Sequence, residues 1–81
     1  MSTPEDYLRN HRASQIKVGD SVKVLFRAHI DENGWDNGWT PDMNNAIGFT
    51  YKVTEDNGRY GFRLNSPDHC CYPYFVLSIV R

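Results

Sequence analysis

His69, Cys70 and Cys71 stand together, and imidazole and thiolate are the usual ligands of zinc. Successive residues of a strand point to opposite faces, however, so both thiols cannot reach one ion, and no other cysteine exists in the chain. One buried and one partly exposed cysteine is the expectation, with no metal, and a bond between adjacent cysteines would lie far from ordinary disulfide geometry. Asp31, Glu32, Asn33, Gly34, Trp35 and Asp36 have the composition of a calcium loop, yet the glycine comes fourth where an EF-hand needs it sixth, and no glutamate follows at the twelfth place. Hydrolysis would need a nucleophile beside an oriented base, or two carboxylates in one cleft, and no such spacing is present. The glycines of Gly58-Arg59-Tyr60-Gly61 belong to a hairpin, not to a phosphate cradle. The sequence therefore points to a chain that is not an enzyme and that needs no cofactor.

Binding chemistry is better represented. Trp35 and Trp39 lie in a polar, glycine-rich stretch with His29 and Asp36, and Tyr72 and Tyr74 add rings further along. Exposed indoles offer flat apolar faces and an N–H donor, which suits a protein partner. The competing possibility is that one or both rings fold back over the open end of a small core. A second surface comes from Lys17, Lys23, Arg27, Lys52, Arg59 and Arg63, which alternate outward on three expected strands. Lys52, Arg59 and Arg63 with Tyr60 would form a cationic face with a ring, able to hold RNA or DNA. Its plainer interpretation is the solvated face of an antiparallel sheet, and the charge favours that: nine Lys and Arg against ten Asp and Glu give a net charge of -1.

The elements that would position these residues are short. Thr3 caps a helix over about residues 4–12, with Pro4 at its first position and Glu5 and Asp6 near the positive end of its dipole. With little apolar content beyond Tyr7, Leu8 and Ala13, residues 1–14 read as an arm that folding can spare. Ser21 to Ala28 alternates Val22, Val24 and Phe26 against Lys23, Leu25 and Arg27, the period of a half-buried strand. Residues 29–41 hold two Asn-Gly pairs and form a long, turn-rich loop. Thr40, Pro41 and Asp42 start one helical turn over 41–46, which Gly48 closes and from which Met43 and Ile47 point inward.

Phe49, Tyr51 and Val53 then alternate up to Asn57-Gly58, which reverses the chain into a strand whose Tyr60, Phe62 and Leu64 share one face. A turn at 65–68, a short strand at 70–72 ended by Pro73, a helical turn at 74–77 and a last strand complete the chain. The expected core is Val22, Val24, Phe26, Met43, Ile47, Tyr51, Val53, Phe62, Leu64, Val76 and Leu77. Eighty-one residues allow one core only. There is no apolar run long enough to cross a bilayer or serve as a signal peptide, so a cytoplasmic protein without membrane attachment is expected.

The glycine turn and alternating valines of Val18-Gly19-Asp20-Ser21-Val22-Lys23-Val24, the long loop after them, the central Asn57-Gly58 hairpin and the Pro73 turn before the last strand resemble the SH3-like small barrel. Gly34-Trp35, Trp39, Met43, Gly48, Tyr51-Lys52-Val53 and Tyr72-Pro73-Tyr74-Phe75-Val76-Leu77 are similar to short uncharacterised proteins of bacteriophages and their bacterial hosts. The resemblance implies a mainly β domain over residues 15–81, a single SH3-like barrel of about five short antiparallel strands, preceded by the helical arm at 1–14. If phage-encoded, such a protein would work in the host cytoplasm. It does not imply the binding of proline-rich peptides, because the Ala-Leu-Tyr-Asp-Tyr run of signalling SH3 domains is missing. The function expected is a non-enzymatic interaction module that grips a phage or host protein through Trp35, Trp39, His29, Asp36, Tyr72 and Tyr74. The alternative is a nucleic-acid binder using Lys52, Arg59, Arg63 and Tyr60.

Overall fold

The computed structural model describes residues 3–29 and 32–80. Asp31, and with it the start of the calcium-like stretch, lies outside them. Helix α1 (Pro4–Ala13) begins as its sequence requires: the Asp6 N–H donates to the Thr3 hydroxyl at 3.2 Å and the Thr3 N–H donates to the Asp6 carboxylate at 3.1 Å. This reciprocal pair satisfies two of the donors that every helix start leaves open.

Beyond α1 the chain forms five strands, β1 (Ser21–Val24), β2 (Thr50–Asp56), β3 (Phe62–Leu64), β4 (Cys71–Tyr72) and β5 (Leu77–Ile79). They pair antiparallel in the order β4-β3-β2-β1-β5. The sheet is open, with β4 and β5 as its two edges. Short 3-10 turns at Glu32–Gly34, Pro41–Ala46, Gly58–Tyr60 and Tyr74–Val76 lie in the connections.

Register decides which side chains face inward. Val22 lies opposite Tyr51, Val53 opposite Leu64, and Phe62 opposite Tyr72, so one face carries the apolar row and the other carries Ser21, Lys23, Lys52 and Ser78. A bulge between Val53 and Glu55 shifts the pairing of β2 with β3 by one place, which re-aims the end of β2 toward α1.

The core contains the expected Val22, Val24, Met43, Val53, Phe62, Leu64, Val76 and Leu77, with Ile47 and Tyr51 partly buried against it. Phe26 is a correction: β1 stops at Val24, the chain bends, and the Phe26 ring is 47% exposed. The strand expected to carry Tyr60 with Phe62 and Leu64 is also corrected: it starts only at Phe62, and Tyr60 sits before it in a 3-10 turn with its ring exposed. Tyr7, Ile16, Ala28, Trp35, Ala46 and Tyr72 are core residues that the alternation of the strands did not point to.

The expectation that residues 1–14 add little to the core is also corrected. Tyr7 and His11 of α1 are both buried, the His11 ring stacks on Phe62 with centroids 4.0 Å apart, and the Tyr7 hydroxyl accepts a hydrogen bond from the Tyr74 N–H at 3.2 Å. The apolar content of the helix is small, but two rings one turn apart put it on a single face.

The helix ends at Ser14, and Gln15 follows with φ of 62°. That left-handed position after a helix suits glycine and costs any residue with a Cβ. Gln15→Gly should therefore stabilise the protein by about 0.5–1 kcal/mol and raise Tm by several degrees. A lower Tm in thermal melts would show that the Gln15 side chain contributes more than its backbone strain costs.

Candidate functional site

Trp35 is fully buried, and its indole Nε1–H donates to the Tyr60 carbonyl at 2.8 Å. It cannot present its ring to a partner, so its place among the expected contact residues is corrected. The local cause is Gly34, whose backbone comes so close to Thr3 that a Cβ would lie 2.0 Å from the Thr3 carbonyl oxygen. With φ of 80° and no side chain, Gly34 lets the loop press against α1 and turns Trp35 inward.

Trp39 is half-buried, meets Tyr72 edge-on with centroids 5.5 Å apart, and donates from Nε1 to the Asn44 side-chain oxygen at 2.8 Å. His29 is exposed, and its backbone N–H donates to Glu32. Asp36 pairs with Arg59 at 3.4 Å. Tyr74 packs against Tyr7 and Phe75 on the side of α1. The six expected contact residues therefore do not converge: Trp39 and Tyr72 come together, and the other four are spread over the loop and the α1 face.

What Trp39 and Tyr72 support is a cleft that the sequence did not single out. It has a volume of about 360 Å³ and is lined by Asp42, Asn45, Ala46, Phe49, Tyr51, Pro67 and Asp68. The 41–46 turn supplies one wall, the 65–69 turn supplies the other, and the start of β2 places Phe49 and Tyr51 between them. Phe49 lies at the end of the inward-facing row, where the sheet runs out, and its ring is 60% exposed. Gly48, with φ of 89°, makes the sharp entry into β2 that leaves Phe49 there.

The Asp68 wall is fixed by its own hydrogen bonds. One carboxylate oxygen accepts from the Ser66 hydroxyl at 2.7 Å and from the Cys70 N–H at 2.9 Å, and the other accepts from the buried Tyr72 hydroxyl. Partial burial would raise the Asp68 pKa, but the bonds from Tyr72, Cys70 and Ser66 outweigh it and hold the group below its ordinary 3.8. A carboxylate depressed in the folded state adds stability above its unfolded value and loses it as pH falls through the folded value. Stability should thus decline as pH drops below 3.8, and Asp68→Asn should flatten that decline in melts recorded across the acid range. An unchanged slope would assign the acid sensitivity to other carboxylates.

A larger open cavity, of about 790 Å³, lies between the end of α1 and strands β1 and β5, and includes His11, Arg12, Gln15, Lys17, Asp20 and Asp56. His11 and Asp56 would be candidates for proton transfer, but both ring nitrogens of His11 are engaged. Nε2 is 2.7 Å from the Asp56 carboxylate and Nδ1 is 3.2 Å from the Tyr7 hydroxyl. The Asp56 carboxylate can only accept, so Nε2–H donates to it, and Nδ1 faces the Tyr7 hydroxyl, which also accepts from the Tyr74 N–H. Burial raises the Tyr7 pKa, so the hydroxyl stays a donor. These groups satisfy one another and tie α1 to the sheet.

The cationic face is partly neutralised. Arg59 is held by Asp36 and packs on the Tyr60 ring, and Arg63 pairs with Glu55 at 3.5 Å while donating to the His69 carbonyl. Lys52 is exposed on the outer face of the sheet. Both cysteines are partly exposed, which corrects the expectation that one is buried, and only Cys71 lies in β4, so their thiols meet different segments. Cys71 Sγ accepts from the Asn57 amide at 3.1 Å, whereas Cys70 Sγ approaches the Asp68 carbonyl at 3.5 Å.

Asp42, Asn45, Phe49, Pro67 and Asp68 were legible only in part. Phe49 stood in the alternating row with Tyr51 and Val53 but outside the expected core, and the two aspartates looked like turn formers. Only the tertiary meeting of the 41–46 and 65–69 turns makes them neighbours. Among the described residues no helix is long and apolar enough to cross a membrane. Comparison of the chain with protein-family models, with curated proteins and with solved structures finds no match.

Proposed function

We propose that this chain is a non-enzymatic interaction module that holds a segment of a protein partner in the cleft between the 41–46 and 65–69 turns. The observation that carries this reading is the large exposed ring of Phe49 beside Tyr51 in a concave site whose walls are braced from behind by Tyr72 and Trp39. Exposed aromatic surface in a concavity with a few fixed polar groups is what peptide recognition uses. The SH3-like small barrel belongs to the same proposal. It is supported by the strand order, by the long connection between β1 and β2, and by the 3-10 turn before β5. So does kinship with short phage and bacterial proteins, which rests on the sequence resemblance alone. Pairing of Arg59 and Arg63 with acidic neighbours weighs against the nucleic-acid alternative.

The test is selection from a library of displayed unstructured peptides, followed by mapping of the bound peptide through backbone amide shifts. Amides of Asp42, Ala46, Phe49 and Tyr51 should move. Phe49→Ala should weaken the selected peptide by about 2 kcal/mol or more while leaving the melting transition nearly unchanged. Shifts confined to Lys52, Tyr60 and Arg63, or failure of the library to yield any binder, would overturn the proposal.

A further inference from the structure

If the cleft is the binding surface, its chemistry narrows the occupant further than to a peptide. Two carboxylates face it from different turns, Asp42 on one wall and Asp68 on the other, with the Asn45 amide beside them and the Phe49 and Tyr51 rings between. None of the lining residues is Lys, Arg or His, in a chain that carries nine Lys and Arg. An apolar side chain entering here would strip water from the carboxylates without replacing it, and an anion would be repelled by both. A cation gains from the rings and from the acids together.

The kind of cation is also constrained. A lysine ammonium is compact and strongly hydrated, and it would lose much of that hydration against two rings. A guanidinium is planar and more weakly hydrated, so it can lie on a ring face while its in-plane N–H groups reach a carboxylate. Asp68 is prepared for this contact: Ser66, the Cys70 N–H and Tyr72 occupy three of its acceptor positions and fix the carboxylate in place, with acceptor capacity left over. Little side-chain entropy remains to be lost there on binding. We infer that the cleft, being the peptide-binding surface proposed above, receives the guanidinium of an arginine side chain carried on an extended segment of the partner, between Asp42 and Asp68 and against the Phe49 and Tyr51 rings.

The probes are four blocked pentapeptides, acetyl-Gly-Ala-X-Ala-Gly-amide, in which X is arginine, citrulline, lysine or glutamate, titrated against the full-length protein with amide shifts as the readout. Citrulline keeps the shape of arginine and removes its charge. Arginine should give saturable shifts at Asn45, Phe49, Tyr51 and Asp68 and bind about tenfold more tightly than citrulline, with lysine between them and glutamate without effect. Asp42→Asn, a change at an exposed position, should narrow the gap between arginine and citrulline. Equal binding of arginine and citrulline in the cleft would overturn the charge assignment and leave peptide binding standing. Occupation of the cleft by library-selected peptides that lack arginine, with no binding of the arginine probe, would do the same. If neither probes nor selected peptides touch the cleft, both readings fall.

Discussion

Replacing Trp35 by alanine should cost about 3–5 kcal/mol, most of the stability available to a domain of this size. The ring is fully enclosed, so its removal leaves a cavity that the surrounding strands and α1 can fill only in part. The change also takes the indole N–H at 2.8 Å from the Tyr60 carbonyl, which keeps only the longer bond from the Asn37 amide at 3.4 Å. Urea titrations followed by far-UV circular dichroism would give the value without relying on tryptophan emission. Trp39→Ala is the internal control: half-buried and bonded to an exposed side chain, it should cost less than half as much. Equal losses, or a loss below about 1 kcal/mol for Trp35, would contradict the placement of the indole.

Removal of residues 1–14 should abolish the cooperative transition. Without α1, the Phe62 ring loses the stacked imidazole of His11, the Tyr74 N–H loses the Tyr7 hydroxyl, and the loop at Gly34 loses the backbone it packs on. Burial of the Tyr7 ring alone is worth about 2–3 kcal/mol, and the neighbours it covers would add to that. Differential scanning calorimetry of the truncated chain should show no endotherm, or one depressed by tens of degrees. A sharp transition close to that of the full chain would restore the picture of a dispensable arm. Tyr7→Phe separates hydroxyl from ring. It keeps the packing and removes the link to His11 and Tyr74, and it should lower Tm by much less than the truncation does.

Local rules carried the reading of the chain a long way. Thr3, Pro4 and Asp6 marked the start of α1, Thr40, Pro41 and Gly48 bounded the 41–46 turn, and Pro73 stood at the end of the last short strand before β5. Alternation located β1, β2 and β3. It failed where the period of two outlived the strand. Phe26 continues the rhythm of Val22 and Val24, but β1 ends at Val24, and nothing local marks that end because it is set by how the chain meets Gly48 and Val76. Trp35 could not be placed from composition either, since a glycine-rich loop is the ordinary setting of an exposed ring. Its burial depends on the approach of Gly34 to Thr3, a contact between segments far apart in the chain. The cleft was hidden for the same reason: each of its residues has an ordinary local role, and its chemistry exists only after the turns meet.

The link from Tyr7 to Tyr74, together with the pairing of β1 with β5, sets the order of events during synthesis. The helix is made before every strand of this domain, yet its ring has no complete site until the residues after Pro73 have been made. β1 must likewise wait for Leu77 to Ile79 before one of its two edges is covered. A nascent chain held short of residue 74 would therefore expose the Tyr7 ring and a strand edge together, the combination most prone to pairing with another chain. Folding of this domain joins its earliest elements to its latest, and the inner strand β1 is covered on both sides only when β5 is in place.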